Sequence, residues 1–170
     1  MKIYLIRHAI AGDRMQWAGD DGLRPLTPKG MKKMRQIVKG LKNLRISLDY
    51  LFTSPLVRAR ETAEIVAQGI RVKGEIQELE ALEPDGIPSE LLSSLNRLEN
   101  EAYVGLVGHE PHISRTISYF LSGNYTACIT VKKGGVAAFE ADKPLSAQRI
   151  ELKWLLEPKQ LVAIGKSGRV

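Results

Sequence analysis

The chain has 170 residues, of which 44% are hydrophobic and 26% charged, and its formal net charge at pH 7 is +6. A chain of this length can bury a core without disulfide staples. The single cysteine, Cys128, cannot form an internal disulfide, and neither a signal-peptide pattern nor a long apolar run is present. We therefore expect one domain over residues 1–170, located in the reducing cytoplasm and without membrane association.

The positive charge predicts an anionic partner: nucleic acid, a phosphorylated small molecule or an acidic protein. The basic residues are spread along the chain, with a modest concentration at residues 29–45 that is typical of a solvated helix face. Aromatic residues make up only 6% of the chain, which gives little for single-stranded nucleic acid to stack on. These features disfavour nucleic acid as the partner.

The N-terminal part of the sequence predicts a strand, a long loop and a helix. Residues 2–6 are apolar and β-prone, as in a strand buried on both faces. Residues 11–25 are rich in Gly and Asp and form a loop of unusual length, which is often a functional feature. An amphipathic helix follows, with Thr27 as its N-cap and Pro28 at its first position.

Strands and helices continue to alternate through the middle of the chain. Apolar runs at 48–54 and 102–108 predict two more buried strands, and residues 72–79 a weaker extended segment. The predicted helices cover residues 55–70, 88–100 and 110–123. This alternation predicts an α/β three-layer sandwich, in which helices cover both faces of a largely parallel mixed sheet.

The last third predicts β structure followed by a tail. Residues 127–142 suggest a hairpin that turns at Gly134 and Gly135, and residues 146–158 a further short strand. We expect the residues from about 158 to the end to be a tail.

Polar residues follow three of the predicted strands. Arg7 and His8 follow the first, the segment 54–60 with its Arg58 follows the second, and His109 follows a later one. Because ligands bind at the carboxyl ends of strands in such sheets, we expect these side chains to converge in one cleft. Taken singly, each has an ordinary explanation as a solvated turn, a helix cap or a salt-bridged helix face.

This set of side chains favours phosphoryl transfer. A neutral imidazole is a competent nucleophile at phosphorus, arginines hold phosphate oxygens, and a second, protonated histidine would add another donor. The sequence has no metal-ligand spacing, no Walker-type loop and no G-x-S-x-G segment, so we predict histidine catalysis without metal or cofactor.

Four motifs resemble a known family. RHA at 7–9, SPLVRARETA at 54–63 and GHEP at 108–111 resemble the histidine phosphatase superfamily. Within it, DGLRPLTPKG at 21–30 and the short chain are similar to the SixA-type phosphohistidine phosphatases. The resemblance covers about residues 1–125 and implies a phosphoglycerate-mutase-like version of the predicted sandwich.

The resemblance also implies roles. His8 would be the nucleophile that accepts the phosphoryl group, Arg7 and Arg58 would bind its oxygens, and His109 would complete the pocket. Arg24 would be a further phosphate or substrate contact, or else a loop arginine paired with Asp21. We expect Arg60 to face solvent or Glu64.

The chain departs from the family in two places. Ala9 stands where the superfamily most often has glycine, which questions any backbone conformation that only glycine adopts. Members that act on phosphate esters use a glutamate from a middle loop as proton donor, and in that region this chain offers Glu80 and Glu83 without the usual donor context. An alkoxide leaving group needs such an acid more than the imidazole of phosphohistidine does.

The prediction is a phosphatase that removes phosphoryl groups from phosphohistidine on a signalling protein. One alternative is a small-molecule phosphomonoesterase or mutase of the same superfamily, in which Glu83 would act as the acid. Another is a basic anion- or nucleic-acid-binding protein without catalysis.

Overall fold

A computed structural model describes residues 1–167 and is built on a six-stranded sheet. The strands are β1 (Lys2–Arg7), β2 (Tyr50–Thr53), β3 (Ile76–Glu78), β4 (Tyr103–Gly108), β5 (Val136–Glu140) and β6 (Glu151–Leu156). The helices are α1 (Pro28–Asn43), α2 (Val57–Gly69), α3 (Pro88–Leu95), α4 (His112–Ser122) and α5 (Pro158–Lys166). Two short 3-10 helices cover Asp21–Leu23 and Glu80–Leu82.

The strand order brings the ends of three parallel strands together. The sheet runs β3-β2-β4-β1-β5-β6, with β1 to β4 parallel and β5 antiparallel to both of its neighbours. In the β1–β4 pairing, Arg7 lies opposite Gly108, so that His8 and His109 leave the sheet side by side. The predicted convergence at this edge therefore follows from the strand register.

Each face of the sheet has its own hydrophobic core. Helices α1, α2 and α5 pack on the face that carries Tyr4 and Ile6, and α3 and α4 pack on the face that carries Ile3 and Leu5. Alternate residues of β1 are thus buried in opposite layers, as expected of a central strand. The predicted three-layer α/β sandwich with a largely parallel mixed sheet is confirmed.

Helix α1 begins as the sequence predicts and is held against the loop after β1. The hydroxyl of Thr27 accepts a hydrogen bond from the Gly30 N–H at 3.0 Å, with Pro28 in the first turn. A Cβ on Gly30 would overlap the carbonyl oxygen of Ile10. Glycine at this position therefore lets α1 approach the loop that follows His8.

The prediction of a tail from about residue 158 is wrong for the described residues. Pro158–Lys166 forms helix α5, and its Leu161 is fully buried against α1. The side-chain oxygen of Gln160 accepts the Glu157 N–H at 2.7 Å and caps the first turn. The apolar stripe of α5 is short, but Pro158 at its first position and the capping pair Glu157 and Gln160 were sequence signals for a helix start; residues 168–170 lie outside the described part of the chain.

The predicted hairpin at 127–142 is also wrong. Only Val136–Glu140 forms a strand there, and it pairs with β6. The backbone of Val131 forms hydrogen bonds with side chains and not with a neighbouring strand: its N–H donates to Glu110 Oε1 at 3.0 Å and its carbonyl accepts from Arg7 Nη1 at 2.6 Å. Because both side chains lie far away in sequence, the local strand pattern could not show that they replace strand pairing here.

Among residues 1–167, the structure contains no helix of the length and apolarity that crossing a bilayer requires.

Candidate active site

A polar cleft of about 600 Å³ opens at the carboxyl ends of β1, β2 and β4. All five residues that the sequence analysis proposed for the site border it: Arg7, His8, Arg24, Arg58 and His109. The other lining residues are Ala11, Gly12, Asp13, Arg14, Asp21, Pro84, Glu110 and Lys133. The cleft is therefore assembled mainly from the segments that follow these three strands, and Pro84 and Lys133 come from other parts of the chain.

The imidazole of His8 has a defined tautomer. Its Nδ1 lies 2.7 Å from the carbonyl oxygen of Ala9 and must donate the proton, because a carbonyl only accepts. Burial, which is the largest cause, and the nearby charges of Arg58 and Arg7 together lower the pKa of His8 to about 3. At neutral pH the ring is uncharged, and Nε2 keeps its lone pair.

His109 lies beside His8 in the buried floor of the cleft. The two ring centroids are 4.9 Å apart, and His109 Nε2 lies 2.9 Å from the hydroxyl of Ser54. Burial, together with His8 and Arg58, lowers the pKa of His109 to about 2. The expectation of a protonated second histidine is therefore wrong for this arrangement: His109 is neutral at pH 7 and can donate from only one ring nitrogen.

Arg58 and Arg24 share one carboxylate. Arg58 Nη2 lies 3.1 Å and Arg24 Nε 2.9 Å from Asp21, and Arg58 Nη1 also donates to the Asp21 carbonyl at 2.7 Å. The hydrogen bond from Arg24, followed by the charge of Arg58, lowers the pKa of the Asp21 carboxyl. Sequence reasoning paired Asp21 with Arg24 but missed its link to Arg58, which lies 37 residues away.

The surroundings of Arg24 show its pairing with Asp21, whereas its role as a phosphate or substrate contact stays a prediction. The side chain is buried at the wall of the cleft, and Nε and Nη1 donate to Asp21 and to the carbonyl of Gly12. The pairing with Asp21 is thus present. Arg60 is exposed to solvent, as expected, and does not line the cleft; its acidic partner is Glu78 at 3.1 Å and not Glu64.

Arg7 and Lys133 come from segments that are tied together. Besides the bond from Arg7 to Val131, the N–H of Gly134 donates to the Arg7 and His8 carbonyls at 3.1 and 3.2 Å. Gly134 has φ of 81°, which glycine adopts without strain. The sequence analysis missed Lys133 because this residue stands in a segment predicted to be a hairpin turn. Burial and, after it, the charge of Arg7 lower the pKa of Lys133.

Ala9 adopts a conformation that does not require glycine. Among residues 1–167, the non-glycine residues with positive φ are Arg45 and Gln148 only. The Ala9 N–H donates to Thr62 Oγ1 at 3.1 Å, and that hydroxyl donates to the Arg58 carbonyl at 2.6 Å. Thr62 therefore joins the backbone after His8 to the helix turn that carries Arg58.

Neither proposed proton donor lines the cleft. Glu80 is exposed, and Glu83 follows the second 3-10 helix, whereas the next residue, Pro84, does line it. The cleft carboxylates are engaged within the protein. Asp21 binds the two arginines, Glu110 Oε2 accepts from Ser114 Oγ at 2.6 Å, and Asp13 Oδ1 accepts from the Met15 N–H at 2.9 Å.

The cleft suits a tetrahedral oxyanion. It combines a neutral imidazole nitrogen with arginines whose orientation is fixed by buried contacts, which is the arrangement that a transferring phosphoryl group requires. No group of three His, Cys, Asp or Glu residues within 1–167 is arranged to hold a metal ion.

Comparison with known proteins identifies the family. Residues 3–102 match the histidine phosphatase superfamily (branch 1). An uncharacterised protein of Picosynechococcus is 34% identical over 95% of this chain and 99% of its own length. The phosphohistidine phosphatase SixA of Escherichia coli K12 is 28% identical over 72% of this chain and 76% of its own.

A comparison with solved structures finds the same fold in a related phosphatase. The structure of the protein histidine phosphatase SixA complexed with tungstate superposes with a TM-score of 0.82 at 24% identity, covering 95% of this chain and 99% of that one. The fold is therefore an α/β sandwich of the kind found in that phosphatase. The chain belongs to the histidine phosphatase superfamily, and its activity is that of a phosphatase.

Proposed function

We propose that this phosphatase hydrolyses phosphohistidine on a protein through a covalent phosphohistidine intermediate at His8. The observation that carries the proposal is the neutral, buried imidazole of His8, whose Nδ1–H is fixed on the Ala9 carbonyl while Arg7 and Arg58 border the same cleft. Such a ring can attack phosphorus at neutral pH without first losing a proton.

The reaction has two displacement steps. In the first, the lone pair of His8 Nε2 forms a bond to phosphorus while the P–N bond of the substrate breaks, and the leaving imidazole takes a proton from solvent. In the second, water attacks phosphorus and the bond to Nε2 breaks, which releases inorganic phosphate and restores His8. Arg7 and Arg58 stabilise the charge on the phosphoryl oxygens in both steps, and His109 donates one ring N–H.

The substrate class follows from the leaving group. An alkoxide needs a positioned acid, whereas the imidazole of phosphohistidine leaves with much less assistance. Glu80 and Glu83 lie outside the lining of the cleft, and Asp21 is held ionised by two arginines. The similarity to a relative named phosphohistidine phosphatase supports the same substrate.

Replacing the nucleophile tests the proposal. We expect His8→Ala to lower phosphate release from a histidine-phosphorylated protein by ~10³-fold or more, because the proposed intermediate forms on His8. The measurement is single-turnover phosphate release, with acid-labile label trapped on the intact protein. His112→Gln is the matched control, since His112 lies in α4 and does not border the cleft.

Activity of His8→Ala equal to that of the intact protein would exclude the intermediate. A severe loss of ester hydrolysis in Glu83→Gln would support the alternative, a small-molecule phosphomonoesterase or mutase. We expect Glu83→Gln to retain activity on both substrates.

A further inference from the structure

A second cleft adjoins the candidate active site. Its volume is about 430 Å³, and it shares Arg7 and Lys133 with the first cleft. The remaining lining residues are Ile10, Lys33, Lys132, Glu157, Pro158 and Lys159. A substrate that presents its phosphoryl group to His8 therefore has a basic surface next to it.

The charge of this second cleft is strongly positive. Four lysines and one arginine line it, against the single carboxylate of Glu157. Glu157 is engaged by Lys132 at 2.8 Å and by Lys159 at 3.7 Å, which lowers the pKa of its carboxyl. The cluster therefore keeps excess positive charge after its internal pairs are counted.

Three separate elements bring these lysines together. Lys33 comes from α1, and Lys159 comes from the first turn of α5. Lys132 and Lys133 come from the segment that is tied to β1 through Val131 and Gly134. Because α5 packs along α1, the second cleft is a product of the tertiary fold and has a fixed position relative to His8.

Two exposed apolar side chains lie in the loop that contributes Asp13, Arg14, Asp21 and Arg24 to the active-site cleft. Asp13 and Arg14 line the cleft, and the next residue, Met15, is 92% exposed, while Leu23 in the same loop is 62% exposed. Exposed apolar side chains beside a charged cleft are typical of a surface that binds a protein.

We propose that the second cleft docks acidic side chains that flank the phosphorylated histidine of a substrate protein. The proposal rests on the proposed function for the identity of the phosphorylated residue, and it adds the recognition of Asp and Glu around it. Lys33, Lys132 and Lys159 act as specificity residues, and Lys133 lies at the boundary of the two clefts. Such charge complementarity raises the association rate and selects partners.

The test compares two synthetic phosphohistidine peptides that differ only in the residues flanking the histidine, Asp and Glu in one and Asn and Gln in the other. We expect kcat/KM for the acidic peptide to be ~2–10-fold higher at low salt, through KM, with the difference shrinking as salt is added. The double variant Lys33→Gln/Lys159→Gln should lose this preference but keep its rate on the neutral peptide.

The matched control is Lys39→Gln/Lys42→Gln, which removes the same charge from a groove elsewhere on α1. A preference that survives in Lys33→Gln/Lys159→Gln, disappears equally in the control, or is absent from the intact protein would overturn the proposal.

A competition arm separates this proposal from the proposed function. The same two peptides without phosphate are tested as inhibitors of p-nitrophenyl phosphate hydrolysis. Stronger inhibition by the acidic peptide, lost in Lys33→Gln/Lys159→Gln, supports docking even if neither phosphopeptide is hydrolysed. Equal inhibition by both peptides contradicts docking, even if phosphohistidine proves to be the substrate.

Discussion

At the scale of single residues, the cleft depends on groups that orient its arginines. Asp21 holds Arg58 and Arg24, while the carbonyl of Val131 holds Arg7. Bidentate recognition of a phosphoryl group requires the guanidinium plane to be fixed before the substrate arrives. Asp21 is therefore a positioning residue, which acts on the substrate through the two arginines.

We expect Asp21→Asn to lower kcat/KM by ~10–100-fold, because a misplaced guanidinium loses transition-state contacts. The kinetics of phosphate release, compared at subsaturating and saturating substrate, measure this effect. Asp49→Asn is the matched control, since Asp49 pairs with Lys73 at 2.6 Å and does not border the cleft. If both variants retained full activity, Asp21 would have no positioning role.

At the scale of elements, helix α1 connects the catalytic loop to the C-terminal helix. Its first turn lies against the Ile10 carbonyl at Gly30, and its last part lies against the Leu161 carbonyl at Gly40. A Cβ at either glycine would overlap the facing carbonyl oxygen. The two glycines therefore let helix α1 lie at backbone contact distance from both the loop after His8 and helix α5.

We expect Gly30→Ala and Gly40→Ala each to lower the free energy of unfolding by ~1–3 kcal/mol, because the added methyl group separates packed backbones. Gly30→Ala should also lower activity, since it displaces the loop that follows His8. Gly40→Ala should leave activity on p-nitrophenyl phosphate largely intact. Urea unfolding and steady-state kinetics measure both effects, and an equal loss of activity in the two variants would contradict this division.

At the scale of the whole molecule, three buried histidines make stability depend on pH. The pKa is lowered to about 3 for His8, to about 2 for His109 and to about 4 for His112, in each case mainly by burial. In an unfolded chain the histidine pKa is about 6.5. Between pH 6.5 and 4, therefore, the unfolded chain binds more protons than the folded protein, and the free energy of unfolding falls as the pH falls.

We expect the free energy of unfolding to decrease from pH 7 to pH 5, with each histidine contributing at most ~1.4 kcal/mol per pH unit. His112→Gln should make this decrease shallower, because it removes one of the three groups that take up a proton on unfolding. His112 faces Arg115 and Asp85, which act on its pKa in opposite directions. Urea unfolding at pH 7, 6 and 5 measures the slopes, and identical slopes would show that His112 is not protonated on unfolding.

Local patterns in the sequence specify the elements that carry the site. Local patterns predict the apolar strands that end on Arg7, His8 and His109 and the helix that starts near Arg58. The rule that ligands bind at the carboxyl ends of strands then predicts that these residues converge. The family could be recognised for the same reason, because its motifs are contiguous in the chain.

The groups that orient those side chains, and the groups that lie beside them, depend on how distant segments pack. Asp21 pairs with Arg58 across 37 residues, and Val131 is hydrogen-bonded to both Arg7 and Glu110. Helix α5, which carries Lys159, likewise depends on packing between distant segments. The protonation state of His109 was decided in the same way, because desolvation arises only when the surrounding elements pack. Local sequence patterns encode the strands and helices, whereas the orientation and charge of the site depend on long-range packing.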